Sequence, residues 1–162
     1  MKPFTILIAE DDLLSRMILE RSVVQWGHQM VSAVDGENAL VLLQNHSVDL
    51  CLLDWDMPKV TGPEICREVR NNATGPIPYL ILLTARNHPQ EIQLGYEAGA
   101  DDYLTKPCDL KYLRRRINTV AEKVRRQEQW LQQANQAEEA NAVGFSPLDM
   151  YLSDLRLARR KI

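Results

Sequence analysis

The chain has 162 residues, 45% hydrophobic and 25% charged, and its 22 acidic against 19 basic side chains give a net charge of -3. That composition suits a globular protein with one substantial core and room for an appendage. It argues against a chain-wide electrostatic footprint for nucleic acid or membrane, though not against a local basic patch. No stretch approaches the apolar length of a membrane span, and the first residues carry no signal-peptide pattern. Cys51, Cys66 and Cys108 are odd in number and lack CxxC spacing. Reduced thiols in a cytoplasmic protein are therefore expected, rather than disulfides or a metal site.

In chain order, Thr5 to Ala9 is an apolar run that reads as a buried strand and ends in Glu10, Asp11 and Asp12. A helix follows, with Leu19, Val23 and Trp26 at helical spacing, and Gly27 stops it. Gln29 to Ala33 is a weaker strand, and Asp35-Gly36 turns into a helix carrying Ala39, Leu40, Leu42 and Leu43. Leu50 to Leu53 is a second continuous apolar run, closed abruptly by Asp54. A helix begins at about Pro63, with Ile65 and Val69 inward, and 71–78 is a loop rich in Asn, Gly and Pro. Tyr79 to Leu83 is a further strand ending at Thr84, and Pro89 to Gly95 a short helix. Tyr103-Leu104 is a minimal strand ending at Thr105-Lys106-Pro107. Among the remaining candidates, Met17, Met30, Met57 and Trp26 are expected in or near the core. His28, His46 and His88 are expected at the surface, with Asp101 and Asp102 shaping a turn.

Five strands alternating with helices predict a parallel sheet covered on both faces, with few allowed topologies. The carboxyl ends of such strands lie along one edge, where open α/β sheets place their ligands. Taken alone, Asp54 also fits a simple turn cap. Glu10 and Asp11, Asp54, Thr84 and Lys106, however, each follow a different strand and would converge. Three clustered carboxylates repel unless a cation or shared protons intervene, and an oxygen-only set favours a hard ion such as Mg²⁺. An Asp carboxylate can itself attack phosphorus and form an aspartyl phosphate, while an amine and a hydroxyl hold phosphoryl oxygens. There is no Gly-rich nucleotide cradle, so the expected donor is a small phosphoramidate or acyl phosphate, or a phosphohistidine on another protein.

At these residues the sequence resembles the receiver domain of two-component response regulators, over about residues 4–122. Ile6-Leu7-Ile8-Ala9-Glu10-Asp11-Asp12 looks like that family's first strand and acidic pair, and Leu52-Leu53-Asp54-Trp55-Asp56-Met57-Pro58 like its phosphoacceptor segment. Leu83-Thr84-Ala85 matches its switch hydroxyl, and Tyr103-Leu104-Thr105-Lys106-Pro107 its switch aromatic and Lys-Pro. The spacings agree, 30 positions from Asp54 to Thr84 and 22 from Thr84 to Lys106. The resemblance implies a flavodoxin-like, doubly wound five-stranded parallel sheet of order 2-1-3-4-5 with a C-terminal helical extension. It implies Asp54 as phosphoacceptor, and Glu10, Asp11, Asp54 and the Asp56 backbone carbonyl as the Mg²⁺ site. Lys106 would pair with Asp54 across a cis bond to Pro107, and Thr84 and Tyr103 would form the switch. A histidine kinase or phosphotransfer protein is the implied donor and a downstream protein the target. No enzymatic role is expected beyond self-phosphorylation and dephosphorylation at Asp54. Cys108 stands where the family often has Phe.

A receiver over 1–122 leaves 123–162 as a helical extension: a long helix to about residue 140, then a short one over 147–160. Leu110, Leu113, Ile117, Val120, Val124, Gln127, Leu131 and Ala134 alternate by three and four. This pattern fits a parallel two-stranded coil, hence a homodimer, or a single helix folded back on its own domain. Arg156, Arg159, Arg160 and Lys161 form either an anion patch or ordinary C-terminal helix charge, the latter preferred. No helix-turn-helix pattern and no Gly-Gly-Asp/Glu-Glu-Phe cyclase loop is present, so no nucleic-acid contact is expected. The chain is then a single-domain regulator, or a receiver and signalling helix from a longer one with an enzymatic output domain. A rival reading is a haloacid-dehalogenase-type phosphatase, with Asp54 as nucleophile and Asp56 as general acid. The position of Glu10-Asp11 before that pair speaks against it.

Overall fold

The computed structural model describes residues 3–72, 76–85 and 89–142. The elements run β1 (Thr5–Ala9), α1 (Leu13–Gln25), β2 (Gln29–Ala33), α2 (Gly36–Asn45), β3 (Leu50–Asp54), α3 (Gly62–Asn72), β4 (Tyr79–Thr84), α4 (Pro89–Glu97), β5 (Asp102–Thr105) and α5 (Leu110–Ala142). All strand pairs are parallel, in the order β2-β1-β3-β4-β5. This is the expected doubly wound fold, with a C-terminal helix added. The chain divides into two compact units, Met1–Asn118 and Thr119–Ile162.

The apolar runs become central strands because both faces of a parallel sheet are covered. Leu7, Ala9, Cys51, Leu53, Leu80 and Leu82 form one face and pack with Ala39, Ile65, Cys66 and Ala98. The alternate residues Ile6, Ile8, Leu50, Leu52, Ile81 and Leu83 are equally buried and point to the other face. Leu19 and Val23 of α1 and Leu113 and Ile117 of α5 are buried outside the first cluster. Each buried Leu or Ile contributes roughly 1.5–3 kcal/mol, so the two layers hold the strand ends firmly in register.

Caps start the helices where the sequence turns polar. Asp12 Oδ1 accepts the Ser15 N–H at 2.8 Å and Asp35 Oδ1 accepts that of Asn38 at 2.8 Å. Before α3, Glu64 Oε2 accepts the Thr61 N–H at 2.8 Å and Thr61 Oγ1 accepts the Glu64 N–H at 3.4 Å, a reciprocal capping box.

Three expectations need correction. Met17 was expected in the core, but it is exposed, because α1 turns Leu19 and Val23 inward instead. His28 is buried rather than superficial, since its Nδ1 accepts the Phe4 N–H at 3.2 Å and so finds a partner inside. Asp102 is not a turn residue: it opens β5, is buried, and is paired with the Arg116 guanidinium. Asp101 does bind across elements, accepting the Leu80 N–H at 2.8 Å and Arg70 Nη2 at 2.6 Å.

In the second unit α5 continues through Ala142, with Trp130 and Leu131 exposed. The short helix expected over 147–160, its basic residues and His88 lie outside the described residues.

Candidate phosphoacceptor and cation site

Sheet register brings the polar strand ends together. Ala9 pairs with Leu53, so Glu10 and Asp54 are the next residues on adjacent strands. Asp54 itself pairs with Leu83 and Thr84 with Thr105. The Lys106 N–H then donates to the Thr84 carbonyl at 2.7 Å, and the Lys106–Pro107 bond is cis. Glu10, Asp54 and Thr84 are buried, and Lys106 is about three-quarters buried.

Lys106 Nζ lies 2.9 Å from Asp54 Oδ1 and 2.7 Å from Glu10 Oε2. Carboxylate oxygens of Glu10, Asp11 and Asp54 fall within 4.8 Å of one another. Glu10 Oε2 is fully buried and meets the Lys106 charge outside hydrogen-bonding geometry, so its lone pairs lack a hydrogen bond among the described residues. One ammonium thus faces three carboxylates. An all-oxygen cluster with surplus negative charge and a buried, underused oxygen fits a hard divalent cation such as Mg²⁺.

Supports for this edge come from residues that sequence reading did not single out. Arg16 Nη1 donates to the Glu10 carbonyl at 2.8 Å and to the Asp11 carbonyl at 3.3 Å, bracing the backbone of the acidic pair. Gly62 must be glycine, because a Cβ there would meet the Asp54 carbonyl oxygen at 2.4 Å. Its N–H donates to the Trp55 carbonyl at 3.1 Å, closing the loop that follows Asp54. Asp12 is the helix cap, and the Ser15 backbone N–H holds its carboxyl below the usual range. Tyr103 is half-buried against the core, its ring edge-on to Tyr96 at 6.0 Å. Asp56 is exposed in the loop beyond Asp54, and Cys108 is partly buried.

Burial pushes the Asp54 carboxyl up to about 6, with the Lys106 hydrogen bond opposing and the Glu10 charge adding to the rise. Burial pulls the Lys106 ammonium down, but the Glu10 and then Asp54 carboxylates beside it outweigh that and leave it raised. A carboxyl whose folded pKa exceeds its unfolded value of 3.8 stabilises the fold below that value and loses the contribution as pH rises toward about 6. Metal-free protein should therefore lose roughly 2 kcal/mol of stability from this group between acid and neutral pH. Asp54→Asn should flatten that slope and raise the melting temperature at pH 7. Parallel melting curves of the two proteins across the range, in chelator, would refute this assignment of the titration.

Comparison with known proteins shows the family to which this fold belongs. Residues 6–118 match the response regulator receiver domain family, and the chain belongs to it. It is 41% identical over 116 residues to the transcriptional regulatory protein AfsQ1 of Streptomyces coelicolor, covering 72% of this chain and 50% of that one. To the response regulator MprA of Mycobacterium sp. it is 40% identical over 118 residues, covering 73% and 50%. The chain thus spans about half the length of these curated relatives. Among solved structures, the receiver domain of the TMAO respiratory response regulator TorR aligns with a TM-score of 0.67 at 33% identity, over 75% of this chain and 98% of that one. The chemotaxis response regulator CheY4 of Vibrio cholerae aligns at 0.69 and 26% identity, over 74% and 99%. The family match is to receivers, not to the phosphatases considered as a rival.

Proposed function

We propose that this chain is a phosphorylation-controlled signalling module in which Asp54 takes a phosphoryl group from a phosphohistidine on a histidine kinase or phosphotransfer protein. The observation that carries this reading is the Lys106 ammonium 2.9 Å from Asp54 Oδ1, beside the Glu10–Asp11 pair. A carboxylate oxygen of Asp54 attacks phosphorus as the P–N bond breaks, and the imidazole keeps the bonding pair. Later a water attacks the same phosphorus, the P–O bond breaks, and the carboxylate is restored. Lys106 holds one phosphoryl oxygen throughout, and Glu10 and Asp11 hold Mg²⁺ together with Asp54 and the Asp56 carbonyl. When bound, the cation supplies neutralisation of the charge on the transferring group. Turnover beyond this accept-and-hydrolyse cycle is not expected. The test is intact-mass analysis after acetyl phosphate, with Asp54→Asn as control.

A protein donor is supported by α1, which starts just past the acidic pair and exposes Leu13, Leu14, Met17 and Ile18. Output runs through Thr84, which turns its hydroxyl to the new phosphoryl oxygens, and Tyr103, which moves into the space released. The added charge then biases the surface of α4, β5 and α5 toward a downstream protein. In the relatives named as transcriptional regulators the matched segment is about half of the protein, and protein contact is the output proposed for the segment described here. The buried free thiols support a cytoplasmic setting: burial holds the Cys66 thiol up to about 12 and raises Cys51 further. No described helix is long and apolar enough to cross a membrane.

The α5 extension supports a parallel homodimer. Val124 and Leu131 lie seven residues apart beyond the receiver, where Trp130 and Leu131 are exposed, whereas Ile117 at the preceding heptad position is buried in the receiver's own core. Sedimentation should report a dimer that Leu131→Asp returns to monomer. A monomeric parent at high concentration would remove this part of the reading.

A further inference from the structure

The loop between β3 and α3 holds a backbone feature that the mechanism above leaves unused. Lys59 has φ of 70°, the positive value found at no other described non-glycine residue. The Val60 N–H donates to the Pro58 carbonyl at 2.8 Å, so Lys59 sits at the centre of a γ-turn of the rare, strained kind. Strain of this sort persists only where surrounding structure over-determines the conformation.

What determines it here is the start of α2. Lys59 Nζ is 2.8 Å from Asp35 Oδ2 and 2.9 Å from Glu37 Oε2. Between those two acids lies Gly36, where a Cβ would meet the Val60 carbonyl oxygen at 1.8 Å. The Gly36 N–H also reaches the Pro58 carbonyl at 3.4 Å. The turn thus lies close against the helix start, with the half-exposed Lys59 ammonium paired to acids on either side of Gly36. It lies three residues past Asp56, whose carbonyl is the cation ligand proposed to come from this loop.

We propose that Lys59 is a positioning residue for the cation site: its ion pairs to Asp35 and Glu37 hold the strained turn, and with it the Asp56 carbonyl, at the edge where Glu10, Asp11 and Asp54 gather. This rests on the Mg²⁺ reading above. A second account of Lys59 exists and predicts the opposite sign. As a mere positive charge near an acidic site it would repel Mg²⁺, so its removal would tighten binding. As a clamp, its removal loosens the loop and weakens binding.

Calorimetric titration of the unphosphorylated protein with Mg²⁺ separates the two. Lys59→Ala should raise the Mg²⁺ dissociation constant by about 3- to 10-fold, less than the roughly 10- to 100-fold typical of a group bonded directly to a metal ligand, because Lys59 acts through the backbone. Lys59→Arg, which keeps the ion pairs, should restore it. Asp35→Asn with Glu37→Gln cuts the clamp from its other end while leaving an Asn cap on α2. That double variant should weaken binding similarly, and adding Lys59→Ala to it should cause no further loss. Unchanged or tighter Mg²⁺ binding by Lys59→Ala overturns the clamp. Failure of the parent protein to bind Mg²⁺ instead overturns the cation reading beneath it.

Discussion

Incubated with acetyl phosphate and Mg²⁺, the protein should gain the mass of one phosphoryl group, and Asp54→Asn should gain none. Three carboxylates share the site, so the prediction has to discriminate among them. Asp54 is chosen because it closes the central strand and sits 2.9 Å from the Lys106 ammonium, which can hold an incoming phosphoryl oxygen. Asp11 is exposed and has no such ammonium contact among the described residues, while Glu10 is fully buried beneath Lys106. An asparagine preserves the shape and packing of the strand end but carries no nucleophilic oxygen. The loss should therefore be complete rather than partial, with the fold intact by circular dichroism. A phosphoryl adduct on the Asn variant would shift the acceptor to one of the neighbouring acids.

Replacing Lys106 with Met should slow phosphorylation of Asp54 by roughly 10²-fold, the cost typical of removing one preorganised donor from a site of developing charge. The same change leaves Glu10 and Asp54, both buried, facing one another without a cation. Since Lys106 is what opposes the upward pull of burial on Asp54, the Asp54 carboxyl should titrate above its already raised value of about 6. Because a carboxyl with a raised folded pKa loses its stabilising contribution as pH rises, the metal-free variant should then be stable in acid and lose stability toward pH 8. Saturating Mg²⁺ should return part of it, because the cation replaces the missing charge. Carboxyl chemical shifts of Asp54 across pH, with labelling rates from stopped acetyl phosphate reactions, measure both effects. A variant labelled at the parental rate with an unmoved titration would leave Lys106 with no role in the chemistry.

Much of this site is legible in the sequence. Ile6 to Ala9, Leu50 to Leu53 and Leu80 to Leu83 are uninterrupted apolar runs, and in a parallel sheet only fully covered strands can be written that way. Where each run breaks into Glu10, Asp54 or Thr84, apolar side chains give way to polar ones that are still buried, and the break marks the carboxyl edge. Chain order then suffices to bring those residues to one side of the sheet. The cap residues Asp12 and Asp35 were local signals of the same kind.

Less visible were the features that depend on which surfaces meet. Met17 and Leu19 are both apolar residues of α1, and only the docking of that helix makes one exposed and the other buried. His28 looks like a surface histidine until Phe4 comes within reach of its ring nitrogen. Arg16 and Lys59 are ordinary surface cations in sequence, yet one braces the acidic pair and the other reaches Asp35 and Glu37 across a strained turn. The sequence by itself determined the strands, their polar ends and thus the chemistry available along one edge, because burial and strand period are properties of short segments. Only the tertiary structure decided how a single ammonium is shared between Glu10 and Asp54, how far Asp54 is pushed from its usual pKa, and what holds the loop beside it. Those quantities depend on distance and dielectric, which no stretch of chain contains until distant segments pack together.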